Sequence, residues 1–298
     1  MESDAVKIMI TGSGGFVGGY LMRSFHDDGH EILATYRNHK PGMPYDQDRL
    51  TLIRTDLSQK IPCEEATDII IHCAGRTSLK KGSTAREYVD SNVTATMNVS
   101  DYGNDSGAGL VVYLSSLSVY GDINEEQLSE DSPIVNPGLY GMTKYLGERI
   151  LKDPVNNFSS LSIRLPGVVG KGYFLSWMGT LVQKMVAGEP VAIYNPDALF
   201  NNIVDLFELK RFISHMIQSR YKGYETVNLA ASRPLTINHL IELLLSLTGS
   251  ISKVETRAGN RSFWITTDCL ENRFNYIPAT TKTVIARYIN ENKGCLSL

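Results

Sequence analysis

The sequence predicts an α/β protein: a doubly wound parallel sheet with a smaller, interleaved C-terminal α/β domain. Three observations carry that expectation. Short β-branched runs alternate with amphipathic helical stretches through the first half of the chain, glycines stand at 12, 15 and 18 directly after the first run, and the rhythm changes after Pro166. Nearly continuous apolar strands, as opposed to alternating ones, belong to a sheet covered on both faces.

The first strand is expected at 6–10 and an amphipathic helix at 16–28. Strands follow at 31–35, 52–53, 68–72, 109–114 and 161–164, with helices at about 84–101 and 139–152 between them. Glycines and aromatics then crowd residues 167–177, and a helix runs to about Ala187, where Gly188-Glu-Pro190 stops it. Residues 200–218 and 227–230 read again as parts of the sheet layer. Thr236 is placed to cap a helix over 237–247 that Gly249 ends. One domain is therefore expected over 1–165, with 200–230 returning to it, and a second over 166–199 and 231–298.

Composition narrows the partners. A net charge of -3 gives no electrostatic reason to expect nucleic acid or an anionic membrane. Cys63, Cys73, Cys269 and Cys295 form no CxxC pair, and the histidines are scattered, so no metal site is expected and reduced thiols in the cytoplasm are. Glu2 and Asp4 are acidic where a cleaved leader would be basic, and no apolar run approaches the roughly twenty residues that cross a bilayer.

The glycines read as a phosphate-binding turn. Gly12 permits the tight turn, Gly15 lets backbone approach a pyrophosphate, and Gly18 lets the helix pack on the strand; Phe16 and Val17 lie in the first helical turn, whose N–H groups would meet the phosphates. About twenty residues on, where an NAD site places a carboxylate, stand Tyr36, Arg37 and Asn38. A guanidinium suits a 2'-phosphate, so NADP(H) is favoured and NAD(H) stays open. Asp56 and Leu57, after the third strand, are placed to border the adenine, and Asp56 equally to act as a cap.

Further along, Tyr140 and Lys144 stand four residues apart on a helix, so they share a face. A cation beside a phenol favours the phenolate, so Lys144 is expected to lower the Tyr140 pKa and fit it for proton transfer near neutrality.

With Thr11-Gly-Ser-Gly-Gly-Phe-Val-Gly18, His72-Cys-Ala-Gly75, Asn92, Leu114-Ser-Ser-Leu-Ser-Val-Tyr-Gly121 and Tyr140-Gly-Met-Thr-Lys144 in this order, the chain resembles the extended short-chain dehydrogenase/reductases. It is most similar to their nucleotide-sugar epimerases, dehydratases and reductases, which have a Rossmann domain and a substrate domain. The resemblance implies that Ser116 holds the substrate oxygen, Tyr140 is the acid/base, Lys144 binds the ribose and Ser115 lines the nicotinamide pocket. It also assigns Cys73, Ala74, Gly75, Asn92 and Pro166 to the cofactor site, and it implies a homodimer through helices near 84–101 and 139–152.

Departures from the family pattern narrow the reaction. Leu117 and Ser118 replace the Asp-Glu pair of dehydratases, and Gly167 stands where many 4-epimerases carry Asn. In the later substrate pattern Asn202 and Asp205 fit, a phosphate-binding Arg is replaced by Ala198, and Arg257 remains as a second clamp for a nucleoside diphosphate sugar. The expectation is an NADP(H)-dependent 4-ketoreductase. A 4-epimerase and a non-catalytic dinucleotide sensor are its rivals.

Overall fold

A computed structural model of the protein describes residues 5–42, 48–77, 82–257, 259 and 261–296. Ala258 and Asn260, which flank the Arg257 segment of the sequence pattern, lie outside the described residues.

The first compact unit holds a seven-stranded sheet. Its strands, in chain order, are β1 (Lys7–Thr11), β2 (Glu31–Tyr36), β3 (Leu50–Arg54), β4 (Ile69–His72), β5 (Leu110–Ser116), β6 (Ser159–Leu165) and β7 (Tyr224–Asn228). Their spatial order is β7-β6-β5-β4-β1-β2-β3. Parallel ladders join β1 to β2 and β4, β2 to β3, and β4 to β5. Chain order therefore reverses between β1 and β4, and it is outside the carboxyl ends of strands at such a switch point that doubly wound sheets bind ligands.

Burial explains the run-like strands. Ile8, Met9 and Ile10 of β1 and Ile70 and Ile71 of β4 are wholly buried, so both faces of the central strands are covered. On one side Met9, Leu33, Ile70, Val111 and Tyr113 pack with Val99, Tyr102, Leu151 and Phe158. Each such side chain contributes roughly 1.5–3 kcal/mol of transfer free energy.

Residues 84–101, expected as one helix, are three pieces. Thr84 and Glu87 form a reciprocal capping box on the short helix Ala85–Tyr88, a π-helical stretch Val89–Thr94 follows, and the regular helix Ala95–Ser106 ends at Gly107. A π-bulge redirects side chains without changing composition, so hydrophobic period alone does not show it. The helix expected at 139–152 is Leu139–Leu151.

The second unit comprises residues 122–133, 165–212 and 228–298. Its core gathers Met178, Val182, Met185, Leu240, Leu244, Ile285 and Tyr288 from three helices, Trp177–Val186, Ile237–Thr248 and Thr281–Leu296. Thr236 caps the middle one by accepting from the His239 N–H at 3.2 Å, and left-handed Gly249 ends it, as the sequence indicates. Short parallel pairs, Gly167–Val169 with Ile203–Asp205 and Val191–Tyr194 with Val254–Arg257, complete the unit.

The domain expectation needs two corrections. The segment that returns to the sheet unit is 213–227, shorter than 200–230, and 122–133 belongs to the second unit although it lies inside 1–165. The acidic stretch there reads as a solvated loop, and residues 124–127 are exposed. At their end Gln127–Leu128 pairs in parallel with Trp264–Ile265, Leu128 is wholly buried, and Glu130 accepts from the Asn228 N–H at 2.7 Å. A two-residue strand has no period to detect. No helix among the described residues is long and apolar enough to cross a membrane.

Candidate active site

The site is built where β1, β4 and β5 end. Gly12 has a left-handed φ of +69°, and a Cβ there would meet the Ala74 Cα at 2.8 Å; a Cβ on Gly18 would land on the Gly12 carbonyl. Only glycine satisfies both constraints. Gly15 is the N-cap of the helix Phe16–Asp27, no side chain caps that end, and no acid lies in its first turn. A helix start left uncapped and free of negative charge, behind a turn with no side-chain bulk, fits the diphosphate of a dinucleotide.

At the tip of β2, Arg37 is half exposed and pairs with Asp56 at 3.5 Å. Asp56 also accepts from the Ser58 N–H at 3.0 Å, which makes it a local cap. Burial works against its charge, but the Ser58 hydrogen bonds and Arg37 leave its pKa below the usual carboxylate value. The Leu57 side chain packs in the core of the unit, and Asn98 donates to its carbonyl at 2.7 Å.

After β4, polar bonds link the loop to the helices. The Ala74 N–H donates to Thr11 Oγ1 at 3.1 Å, which bonds His72 Nδ1 at 2.7 Å. His72 Nε2 contacts Thr96 Oγ1 at 3.1 Å, and Thr96 donates to the Asn92 carbonyl. The imidazole is wholly buried, and burial followed by the nearby Lys144 charge holds its pKa down to about 3. It is a packed, neutral ring. Asn92, within the π-helical stretch, accepts from the Arg76 N–H at 2.7 Å and donates to the Arg76 carbonyl and to Thr143 Oγ1. Thr143 donates to the Tyr140 carbonyl at 2.9 Å. Asn92 thus ties the loop after Gly75 to the start of the helix Leu139–Leu151, a positioning role that its spacing in the sequence did not reveal.

Ser116 Oγ donates to Ser118 Oγ and accepts from the Ser118 N–H, both at 3.2 Å, and the Tyr140 ring lies 6.2 Å from that of Tyr88. Burial pushes the Tyr140 phenol above its ordinary value, and the nearby Ser116 hydroxyl opposes this. Lys144 is buried with Nζ 4.0 Å from the Tyr113 ring centroid. Burial lowers its pKa to about 7, against the pull of Glu148 and then Cys73. The expectation that Lys144 lowers the Tyr140 pKa is therefore not met here: the ammonium faces a ring and is itself short of charge. Cys73 is pushed up to about 12 by burial, so its thiol is no nucleophile at neutral pH.

The Ser115 hydroxyl is buried and donates to Glu148 Oε1 at 2.5 Å. Arg164 completes the cluster, donating to both Glu148 oxygens at 2.9 and 2.7 Å and lying 4.7 Å from the Tyr120 ring centroid. Neither Glu148 nor Arg164 stands out in the sequence. Their spacing of sixteen residues becomes a contact only when the helix packs on β6.

In the second unit, Pro166 is half-buried between β6 and the strand Gly167–Val169. Asn202 Oδ1 is a buried acceptor without a hydrogen-bond partner among the described residues. Arg257 is exposed and pairs with Glu255 at 3.3 Å. Asp205 is clamped by Arg287 at 2.8 and 3.0 Å, a structural use of that position. Trp177 is more than half exposed, with its ring 5.4 Å from Phe200.

The sequence profile of the NAD dependent epimerase/dehydratase family matches residues 8–230. The dTDP-4-dehydro-6-deoxy-D-allose reductase of Streptomyces bikiniensis is 24% identical over 278 residues, covering 85% of this chain and 84% of that protein. A UDP-glucose 4-epimerase of Lactobacillus helveticus is 28% identical over 181 residues, 55% of this chain and 52% of that one. The solved structure of MoeE5 in complex with UDP-glucuronic acid and NAD superposes with a TM-score of 0.80 at 22% identity, covering 97% of this chain and 99% of that one, a likeness of fold. With the profile spanning every strand of the sheet and the glycine turn, Ser116, Tyr140 and Lys144 in place, the chain belongs to the NAD dependent epimerase/dehydratase family of NAD(P)-dependent enzymes.

Proposed function

We propose that the protein is an NADP(H)-dependent reductase of a 4-keto group on a nucleoside diphosphate sugar. The observation that carries the reading is the nearness of the Ser116 hydroxyl, at the end of β5, to the Tyr140 phenol, on the helix Leu139–Leu151, in the same unit as the glycine turn. A bound nicotinamide supplies the hydride. Ser116 holds the substrate oxygen by a hydrogen bond, and Tyr140 gives that oxygen its phenolic proton as negative charge develops there. A phenol whose pKa is raised is protonated at neutral pH, the form that an acid in the reductive direction requires. Lys144 stands one turn beyond Tyr140 to bind the ribose, and Gly12, Gly15, Phe16, Val17 and Gly18 take the diphosphate. Arg37 takes the 2'-phosphate. Asn202 and Arg257 bind the substrate, the first through its unpartnered acceptor and the second through charge.

The similarity to the Streptomyces reductase over most of both chains supports reduction. So do Leu117 and Ser118 where dehydratases carry an acid pair. The similarity to a 4-epimerase over half the chain favours a second reading, in which the same Tyr140 serves oxidation and re-reduction at C4. Cofactor fate separates the two. With a 4-keto nucleotide sugar, absorbance of NADPH should fall by one equivalent per sugar reduced; turnover of a 4-hydroxy sugar with no net change in NADPH would establish the epimerase instead.

We also infer a homodimer. Leu139, Met142 and Leu146 expose a stripe on one helix, and Val89 and Met97 are exposed on the neighbouring helical segments. Soluble surfaces seldom leave large apolar side chains contiguous without a partner. Light scattering should give twice the chain mass for the wild type and a monomer for Leu146→Glu. A wild-type monomer at micromolar concentration would remove the inference.

A further inference from the structure

Buried lysines lose their charge unless something opposes desolvation. Lys144 is only 4% exposed, and no carboxylate forms a direct ion pair with it among the described residues. The groups that face it are few: His72 and Cys73 at the end of β4, Tyr113 on β5, and Tyr140 and Glu148 on its own helix. His72 is neutral and Cys73 is held as the thiol. The Tyr113 ring offers Nζ only a quadrupole. Glu148 is the one carboxylate in the set. It lies one turn beyond Lys144 and therefore on the same helix face.

Glu148 is itself held by three hydrogen bonds from two residues. Arg164 grips both oxygens in a bidentate pair, Ser115 donates a third bond, and Arg164 is in turn stacked on Tyr120. An arrangement this specific is not needed to fill space. A buried ion pair often contributes no more stability than apolar residues of the same volume. We propose that Glu148, clamped by Arg164 and Ser115, is a positioning residue that favours the charged form of the buried Lys144 side chain and so helps fit it to bind a cofactor ribose beside Tyr140. The ribose and acid/base roles in this statement rest on the function proposed above, whereas the effect on Lys144 does not.

The sign follows directly. A carboxylate near an ammonium favours the charged form, so its removal lowers the pH at which Lys144 loses its proton. The test uses the full-length protein labelled with [ε-13C]lysine, with Lys144→Met identifying the resonance. In Glu148→Gln the Lys144 titration should move down by about one pH unit. That variant leaves Arg164 buried without its partner. Glu148→Gln/Arg164→Gln removes the opposing guanidinium together with the carboxylate, so its downward shift should be smaller than that of the single variant. Glu148→Asp should recover part of the wild-type value. An unchanged Lys144 titration in Glu148→Gln, folded as judged by circular dichroism, would overturn the proposal. No substrate enters this measurement, so it fails or succeeds independently of the reductase reading. If that reading also holds, the alkaline limb of kcat should move to lower pH in Glu148→Gln in step with the resonance.

Discussion

Tyr140→Phe is expected to lower kcat for ketosugar reduction by about 10²- to 10⁴-fold, the usual contribution of a positioned general acid. The substitution removes one oxygen and keeps the ring, so packing against Tyr88 at 6.2 Å is retained. With the ring kept in place, the cost in stability should be about 1 kcal/mol or less. The binding constant for NADPH should change little, because the phenol acts on the substrate oxygen. A variant that is folded, binds NADPH and turns over at the wild-type rate would show that the proton comes from elsewhere. It would also return weight to a protein that senses the dinucleotide without chemistry.

Arg37→Ala should weaken NADPH about 10- to 100-fold, as loss of a charge-assisted contact worth roughly 1.5–3 kcal/mol implies. NADH binding should stay nearly the same. The structure makes this a clean comparison: Arg37 is half exposed and its pairing with Asp56 is long, at 3.5 Å, so its removal leaves no buried charge behind. Isothermal titration with both cofactors reads the difference. Equal losses would mean that Arg37 serves the fold or both cofactors alike, and wild-type protein that prefers NADH would refute the 2'-phosphate assignment outright.

The two experiments probe opposite ends of one sheet edge, and they differ in what they ask of the environment. Arg37 is half exposed to solvent. Tyr140 and Lys144 act where burial has moved both pKa values towards the neutral forms, upward for the phenol and downward to about 7 for the amine. The charge on Lys144 depends on what surrounds it.

Periodicity and turn chemistry were enough for most of the frame. The run of Ile8 to Ile10, the glycines that follow, and the cap at Thr236 with its stop at Gly249 are local signals, each complete within a dozen residues. The motif order from Gly12 to Lys144 was equally legible, because the residue types are confined to short segments. Family membership could therefore be read before any coordinates, and the profile match over 8–230 agrees.

What the sequence by itself determined was the strand–helix alternation, the phosphate turn and the Tyr-Lys helix, since short-range sterics and hydrogen bonding dictate them. Only the tertiary structure decided that 122–133 joins the second unit, that a π-bulge aims Asn92 at Arg76 and Thr143, and that Glu148 meets Arg164 and Ser115. It also set the direction of the shifts at Tyr140 and Lys144. Desolvation and long-range pairing depend on what the rest of the chain places around a group, and no local pattern contains that information.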